Sequence, residues 1–469
     1  MQMIDYIIVV AYLMMNVGIG LYFNKKSKQN TSSYLVADRQ IGLSVLVATF
    51  LASDIGGGAL TGSTGNAFAN GIVEIPKMVV VVAIWIILST CLAKKLNKFG
   101  SVGALTAAEI LGKTYGRGAQ LLGGLSSMFY LIGTGPAMQS IALGTCIHLI
   151  TGIDMRIGMI IAALVVLFYT YSSGMWGVVM TDYIQFIIMA IGIVSLGFIV
   201  FNKVGHWEGI VVSVPATHLK LDTDITYVVK LVFATALPNL IDANRYSRFY
   251  AAKNEKTAIR ASILVAIPWL CFAITNMTLG LCGRVLLPSD IGQDKVFATL
   301  LLTYLPTGLK GLVLVALMAA IMSTSDSYML TAAGNFTNDI YKTFINKNAT
   351  DEQMLKTTKY AVLFMGFAGL AMAILIPNIM SVWNFCATAY VGGCFIPMLY
   401  AMFGRGRKSY KAAVAAIACG GGFAVAMDLA NFVFLSMPAI LWGMVISGIV
   451  LFIGTKLDKN APCVNLFRD

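Results

Sequence analysis

Long apolar runs, broken only by short polar stretches, dominate the pattern along this chain. A hydrocarbon core of about 30 Å needs about 20 apolar residues per helical span. On that measure the sequence predicts about thirteen spans. The first is near 4–23, followed by 41–69, 72–93, 118–150, 156–173, 176–202 and 225–247. The rest are near 258–283, 310–342, 358–378, 379–403, 410–431 and 436–456. The runs at 118–150 and 310–342 exceed what a bilayer requires, so tilt or protrusion is expected there. No long polar segment separates the runs, which argues for one all-α membrane domain.

Charge placement tests this reading. With the N-terminus outside, every odd-numbered loop should be cytoplasmic and rich in Lys and Arg. Lys25, Lys26 and Lys28 follow the first run, and Lys94, Lys95, Lys98, Lys113 and Arg117 follow the third. Arg245, Arg248, Lys253, Lys256 and Arg260 follow the seventh. Lys342, Lys347, Lys356 and Lys359 follow the ninth, and Arg405, Arg407, Lys408 and Lys411 the eleventh. Few basic residues, such as Lys203, Lys220 and Arg284, fall on the other side, where the acidic pairs Asp222–Asp224 and Asp290–Asp294 lie. The C-terminal tail, with Lys456, Lys459 and Arg468, is expected in the cytoplasm. The first run lacks a preceding basic region, so it reads as a retained span rather than a cleaved signal.

Composition agrees. The 469 residues are 58% hydrophobic and 12% charged, with a mean hydropathy of +0.80. The net charge of +12 is a topology signal and not a polyanion surface, since no basic stripe is interleaved with aromatics. The eight cysteines are scattered through apolar runs with no metal spacing and read as packing residues.

Candidate chemistry comes from residues that break the apolar rule. A carboxylate in mid-span costs a few kcal/mol unless it faces protein or a cavity. Asp54, Glu74, Asp182 and Asp326 are such positions. The second run also carries five glycines between Ala52 and Asn66, in A-S-D-I-G-G-G-A-L-T-G-S-T-G-N. Glycine weakens a helix by about 1 kcal/mol relative to alanine. Unwinding there would free backbone carbonyls to bind Na⁺, and is tolerated at membrane depth only against a cavity or protein. In the ninth run, Ser323, Thr324 and Ser327 lie on adjoining helical rows beside Asp326, and hydroxyls there would supply oxygen to a hard cation. Pro238 and Asn239 in the seventh run mark either a kink or a second broken helix. Gly392 and Gly393 mark a flexible or close-packed point.

These stretches resemble the sodium/solute symporter family. The resemblance covers nearly the whole chain and rests on S-S-Y-L-V-A-D-R-Q-I-G, G-M-W-G-V-V-M-T-D-Y-I-Q-F, S-R-F-Y-A-A-K-N-E-K-T-A and A-I-M-S-T-S-D-S, followed by N-D-I-Y-K. It implies the leucine-transporter-like fold, with two inverted five-helix repeats at 41–202 and 225–403. One helix, 4–23, precedes that core, and the helices of 410–456 follow it. It also implies a sodium ion held by Ala52, Ile55, Ala320, Ser323 and Thr324, with Asp54 at an acidic position that some members need for Na⁺. A second sodium position maps to Asp182, Asp326 and Ser327, although Asp326 replaces a serine of some two-sodium members. The G-G-G-A-L-T-G stretch looks more like amine or amino-acid branches than sugar transporters, and the arginine of sialic-acid members is not evident near Gly133–Gln139.

The expected activity is Na⁺-coupled uptake of a small hydrophilic solute, an amino acid or amine-like zwitterion, by alternating access. Organic-acid or sugar uptake and H⁺ coupling are the alternatives. Candidate solute residues are Thr61, Ser63, Asn66, Glu74, Gln139, Asn239 and Asn384, although Glu74 could equally pair with Lys77 one turn on. Phe50, Phe68 and Tyr390 could gate the cavity or simply pack. No nucleophile–base or metal constellation suggests an enzyme. The expected partners are the solute, Na⁺ and membrane lipid, in a plasma membrane such as a bacterial inner membrane. The chain is expected to be a monomer or loose oligomer that binds no nucleic acid.

Overall fold

A computed structural model of the chain describes residues 2–27, 29–221, 225–231, 237–464 and 466. Lys28, Asp222–Asp224 and part of the expected seventh span lie outside the described residues. The helices that matter below are α1 (Met3–Ser27), α2 (Leu43–Asp54), α3 (Ser63–Asn70) and α4 (Ile75–Ile87). They continue with α5 (Arg117–Ile132), α6 (Met138–Thr151), α7 (Met155–Val204), α8 (Ile225–Leu231) and α9 (Ala243–Ala251). The last six are α10 (Glu255–Leu286), α11 (Leu309–Asn335), α12 (Asp351–Leu375), α13 (Ile379–Phe403), α14 (Tyr410–Leu429) and α15 (Ala439–Leu457).

Among the described residues, nine helical segments are long and apolar enough to cross a membrane. One of them, the 50-residue α7, spans two of the apolar runs seen in the sequence. It is two helices meeting at Gly174, whose φ of 55° and ψ of −163° are not helical. Glycine adopts such a positive φ without the Cβ penalty of other residues.

Burial sorts the helices by role. The most apolar window of Leu309–Ile345 is 94% buried, whereas that of α1 is only 17% buried. Helix α11 is therefore the central post. It packs against α1, α2, α5, α6, α7, α9 and α12. The serines and the carboxylate on α11 thus face protein on every side, which removes the lipid cost that made them conspicuous in the sequence. Outward positions such as Phe198, Ile267, Phe364 and Phe452 are exposed, as a lipid-facing surface requires. At the far end of the chain, α13, α14 and α15 pack on one another, with Gly392 and Gly393 pressed against Ala424 and Ile417. Those two glycines are close-packing points.

One sequence expectation is corrected here. Arg245 and Arg248 looked like cytoplasmic loop charges, but both are buried, at 4% and 1% exposure, on α9. They are structural cations of the interior. Lys408, also assigned to a basic loop, is buried as well.

Candidate binding site

The glycine-rich run does break its helix, over a shorter stretch than its composition suggested. Helix α2 ends at Asp54, and Ile55 leaves helical geometry at φ −96° and ψ 66°. Helical structure resumes at Gly58 and continues into α3. The carbonyls in the last turn of a helix lack intrahelical partners. Here those of Ala52 and Ser53 are met by hydroxyls from α11. Ser323 Oγ donates to Ala52 O at 2.8 Å, and Thr324 Oγ1 reaches Ser53 O at 3.2 Å and Ala52 O at 3.5 Å. Both hydroxyls also lie 3.1 Å from Ala320 O. The structure therefore gathers Ala52, Ala320, Ser323 and Thr324 into one buried oxygen cluster. It lies at the C-terminal end of α2, where the helix dipole is negative.

Two features hold the break in place. Gln139 of α6 accepts the Gly57 N–H at 2.9 Å and donates to Thr134 O at 3.2 Å. At Gly56, a Cβ would lie 2.7 Å from Thr324 Oγ1, so only glycine lets the chain approach α11 this closely.

The carboxylates are held by arginines. Asp54 takes a two-pronged contact from Arg245, with Nε–Oδ1 at 3.1 Å and Nη2–Oδ2 at 2.7 Å. The two side chains are 6% and 5% exposed. The guanidinium of Arg245 also sits 4.6 Å from the Trp85 ring centroid. One turn on, Arg248 Nη2 donates to Ser53 Oγ at 2.8 Å and to Ser327 Oγ, and lies 3.9 Å from Asp182 Oδ2. Asp182 also accepts from Thr49, and Asp326 accepts from Tyr169 at 2.8 Å. The three residues matched to a second sodium position thus come together, with an arginine beside them.

Next to the break lies a cavity of about 150 Å³. Its polar lining is Asp54, Ser63, Glu74, Lys77, Asn239, Arg245 and Asn276, with Trp269 and Phe272 among its apolar walls. Two opposite-charge pairs therefore face one small space. Besides Asp54–Arg245, Lys77 Nζ lies 3.3 Å from Glu74 Oε2 and donates to Ser63 Oγ at 3.1 Å. The ion-pair alternative for Glu74 is realised, and the pair lines the cavity all the same.

Of the sequence candidates for solute contact, Ser63, Glu74 and Asn239 line this cavity. Thr61, Asn66, Gln139 and Asn384 do not. Thr61 Oγ1 bonds back to Gly57 O at 2.7 Å, and Asn66 donates to Glu74. Gln139 supports the break, and Asn384 lines a separate, more open cavity with Lys230, Thr388 and Asp428. The aromatic candidates Phe50 and Tyr390 pack: Phe50 rests on Trp85 and Phe249, and Tyr390 donates to Ile241 O at 2.8 Å. Phe68 is buried with the Arg284 guanidinium 5.4 Å from its ring.

Sequence reasoning missed Arg245, Arg248, Asn276 and Asp242. Asp242 caps α9 by accepting from Asn244 N at 2.8 Å, and receives Tyr328 OH at 2.7 Å. The available signal was the spacing R-Y-S-R directly after the Pro238–Asn239 interruption, which puts two cations on one helical face.

A sequence profile of the Sodium:solute symporter family matches residues 34–420. A sodium/proline symporter of Staphylococcus aureus (strain JH9) is 23% identical over 490 residues, covering 97% of this chain and 93% of the relative. Among solved structures, a Na⁺-coupled sialic acid symporter in a substrate-bound outward-open state aligns with a TM-score of 0.86 at 19% identity. That alignment covers 99% of this chain and all of the other. Mhp1, a nucleobase-cation-symport-1 family transporter with bromovinylhydantoin bound, aligns at a TM-score of 0.60 and 16% identity. It covers 94% of this chain and 98% of its own. The fold is thus the leucine-transporter-like one.

Proposed function

The chain belongs to the Sodium:solute symporter family, and from that premise we propose that it imports an amino-acid-like zwitterion with Na⁺ by alternating access. Family membership makes it a multi-pass membrane transporter and not an enzyme. The solute is the part that the site must supply. The observation that carries it is the cavity beside the Ser323–Thr324–Ala52 cluster, where both charge signs, Asp54 with Arg245 and Glu74 with Lys77, face one space. A zwitterion brings one charge for each sign. A sugar carries no charge to set against either pair and would gain little from them. Lys77 is the most accessible of the four, at 29% side-chain exposure, and is the natural contact for a carboxylate, with Glu74 or Asp54 taking the ammonium. The sodium/proline symporter relative makes L-proline the first solute to try.

In this reading Na⁺ is a transported substrate held by the carbonyls of Ala52, Ile55 and Ala320 and the hydroxyls of Ser323 and Thr324. Hard oxygen donors of this kind suit the ion. Sodium bound there joins α2 to α11, stabilises the outward-open arrangement, and thereby raises the solute affinity of the adjoining cavity. The same proposal counts thirteen spans, with α7 taken as two helices and the runs near 41–69, 118–150 and 225–247 as one span each beyond the remaining eight apolar helices. The arrangement has two inverted repeats (41–202 and 225–403), an external N-terminus, a cytoplasmic C-terminus and a plasma-membrane location.

The test is uptake of labelled L-proline into proteoliposomes under an inward Na⁺ gradient, repeated with choline replacing Na⁺. Zwitterionic amino acids should compete, and sugars and dicarboxylates should not. Uptake that survives the choline exchange would point instead to proton coupling, and competition by sugars alone would overturn the solute class.

A further inference from the structure

The position that matches a second sodium ion already contains a cation. We propose that Arg248 is a built-in cation at that position, tethered to α9, and that it holds transport to one Na⁺ per solute. The inference rests on the sodium-symport reading above and adds its stoichiometry.

The residues in question are Asp182 on α7 and Asp326 and Ser327 on α11. A sodium ion between them would need the Asp182 carboxylate and the Ser327 hydroxyl as oxygen donors. Arg248 takes both. Its Nη2 donates to Ser327 Oγ and stands 3.9 Å from Asp182 Oδ2, and the same nitrogen donates to Ser53 Oγ at 2.8 Å. The head group is fixed from behind as well, with Nη1 bonded to Asn244 O at 3.0 Å and to Asn244 Oδ1 at 2.5 Å. Arg248, Asp182, Asp326 and Ser327 are all between 0% and 1% exposed. A guanidinium remains charged in such surroundings and is less strongly hydrated than an ammonium, so it suits a buried pairing. Removing it would leave the buried Asp182 carboxylate without its cation.

Two oxygens still leave room for a rival. Asp182 Oδ1 and Asp326 Oδ1 are buried and have no hydrogen-bond partner among the described residues. They are the atoms that an additional ion would use, so counting bound ions decides the matter.

The measurement is equilibrium binding of ²²Na⁺ to the purified full-length protein in detergent, by scintillation proximity, with the protein quantified independently. Wild type should bind one Na⁺ per chain, and Arg248→Lys should keep that number. Arg248→Ala should bind two, and Asp182→Asn added to it should return the count to one. A merely structural arginine would not change the number of ions bound. Two ions on the wild type overturn the proposal without needing any variant to fold. A folded Arg248→Ala protein that still binds one also overturns it. Failure of the sodium-symport reading looks different: the wild type would bind no Na⁺ at all. In that case a new saturable Na⁺ site in Arg248→Ala, abolished by Asp182→Asn, would still support the tethered cation, and its absence would refute it.

Discussion

Consider replacing Arg245 with alanine. The variant leaves Asp54 at 6% exposure with neither of its two guanidinium contacts, at 3.1 and 2.7 Å. Breaking a buried ion pair from one side costs about 3–5 kcal/mol, because the remaining charge is stranded rather than because the pair itself is so favourable. The opposite variant, Asp54→Ala, should cost less than that. Arg245 then still has the Trp85 face, 4.6 Å from its guanidinium, worth up to about 2 kcal/mol in a desolvated setting. Its Nη1 also still reaches Asn239 O at 3.4 Å. The double variant Asp54→Ala with Arg245→Ala strands neither member of the pair, so it should be more stable than the sum of the singles predicts by about 2 kcal/mol or more. The assay is equilibrium unfolding in mixed detergent–SDS micelles, read by tryptophan fluorescence, to which Trp85 beside the pair is one contributor. A coupling under about 0.5 kcal/mol would mean that water reaches both charges. The pair could not then be a rigid wall of the solute cavity.

Three further outcomes follow from the geometry. Ser323→Ala with Thr324→Ala removes both hydroxyls from the Ala52 cluster. At about 1.5–3 kcal/mol for each contact to a charge, Na⁺ affinity should fall at least about 100-fold. A Na⁺-dependent thermal shift unchanged from wild type would remove these residues from the site. Gly56→Ala places a methyl group 2.7 Å from Thr324 Oγ1, so it should weaken Na⁺ binding while leaving the distant α13–α15 packing intact. Wild-type Na⁺ affinity in that variant would show that the break can give way. Lys408, in the turn before α14, is buried, and that burial pulls its ammonium down to about 8 from about 10.5. The folded chain releases this proton before the unfolded chain does, so stability should rise with pH across that window. The melting midpoint should climb between pH 8 and pH 10 more steeply in wild type than in Lys408→Met, and equal slopes would refute the assignment.

How much of this was legible in the sequence depended on whether the cause was local. The apolar runs were readable because bilayer thickness imposes a length on each of them separately. The hydroxyls of Ser323 and Thr324 stood out for the same reason: three hydroxyls beside a carboxylate make no sense on a lipid-facing helix. The arginines were not readable in this way. Lys and Arg just beyond an apolar run count as loop charge, and Arg248 lies only nine residues after Asn239. What buries Arg245 and Arg248 is Asp54, Ser53, Asp182 and Ser327, contributed by helices far away in sequence. The hydrogen bonding of Gln139 was hidden for a related reason. A buried glutamine in a span suggests a solute contact, but here its partner is the backbone N–H that the break in α2 leaves free.

Under the proposed function, those arginines would also let sodium and solute sense each other. Three consecutive residues at the end of α2 each face a different partner. Ala52 gives its carbonyl to Ser323 in the proposed sodium cluster. Ser53 gives its carbonyl to Thr324 and its hydroxyl to Arg248. Asp54 is gripped by Arg245 at the wall of the solute cavity. Arg245 and Arg248 belong to one short helix, α9, so α9 holds α2 at two successive residues. Neither helix can shift without moving the other or breaking a buried ion pair, which costs several kcal/mol. Sodium that draws α2 toward α11 must therefore reposition Arg245, and a solute that engages Arg245 must act back on the Ala52 carbonyl. Such reciprocity is what thermodynamic linkage demands of coupled binding. The Asp54→Asn with Arg245→Gln variant, neutral and similar in shape, separates this mechanism from mere proximity. It should still bind Na⁺, and solute more weakly through Glu74 and Lys77, but Na⁺ should no longer raise solute affinity. If saturating Na⁺ shifts the solute Kd of that variant as much as it does in wild type, coupling does not run through α9.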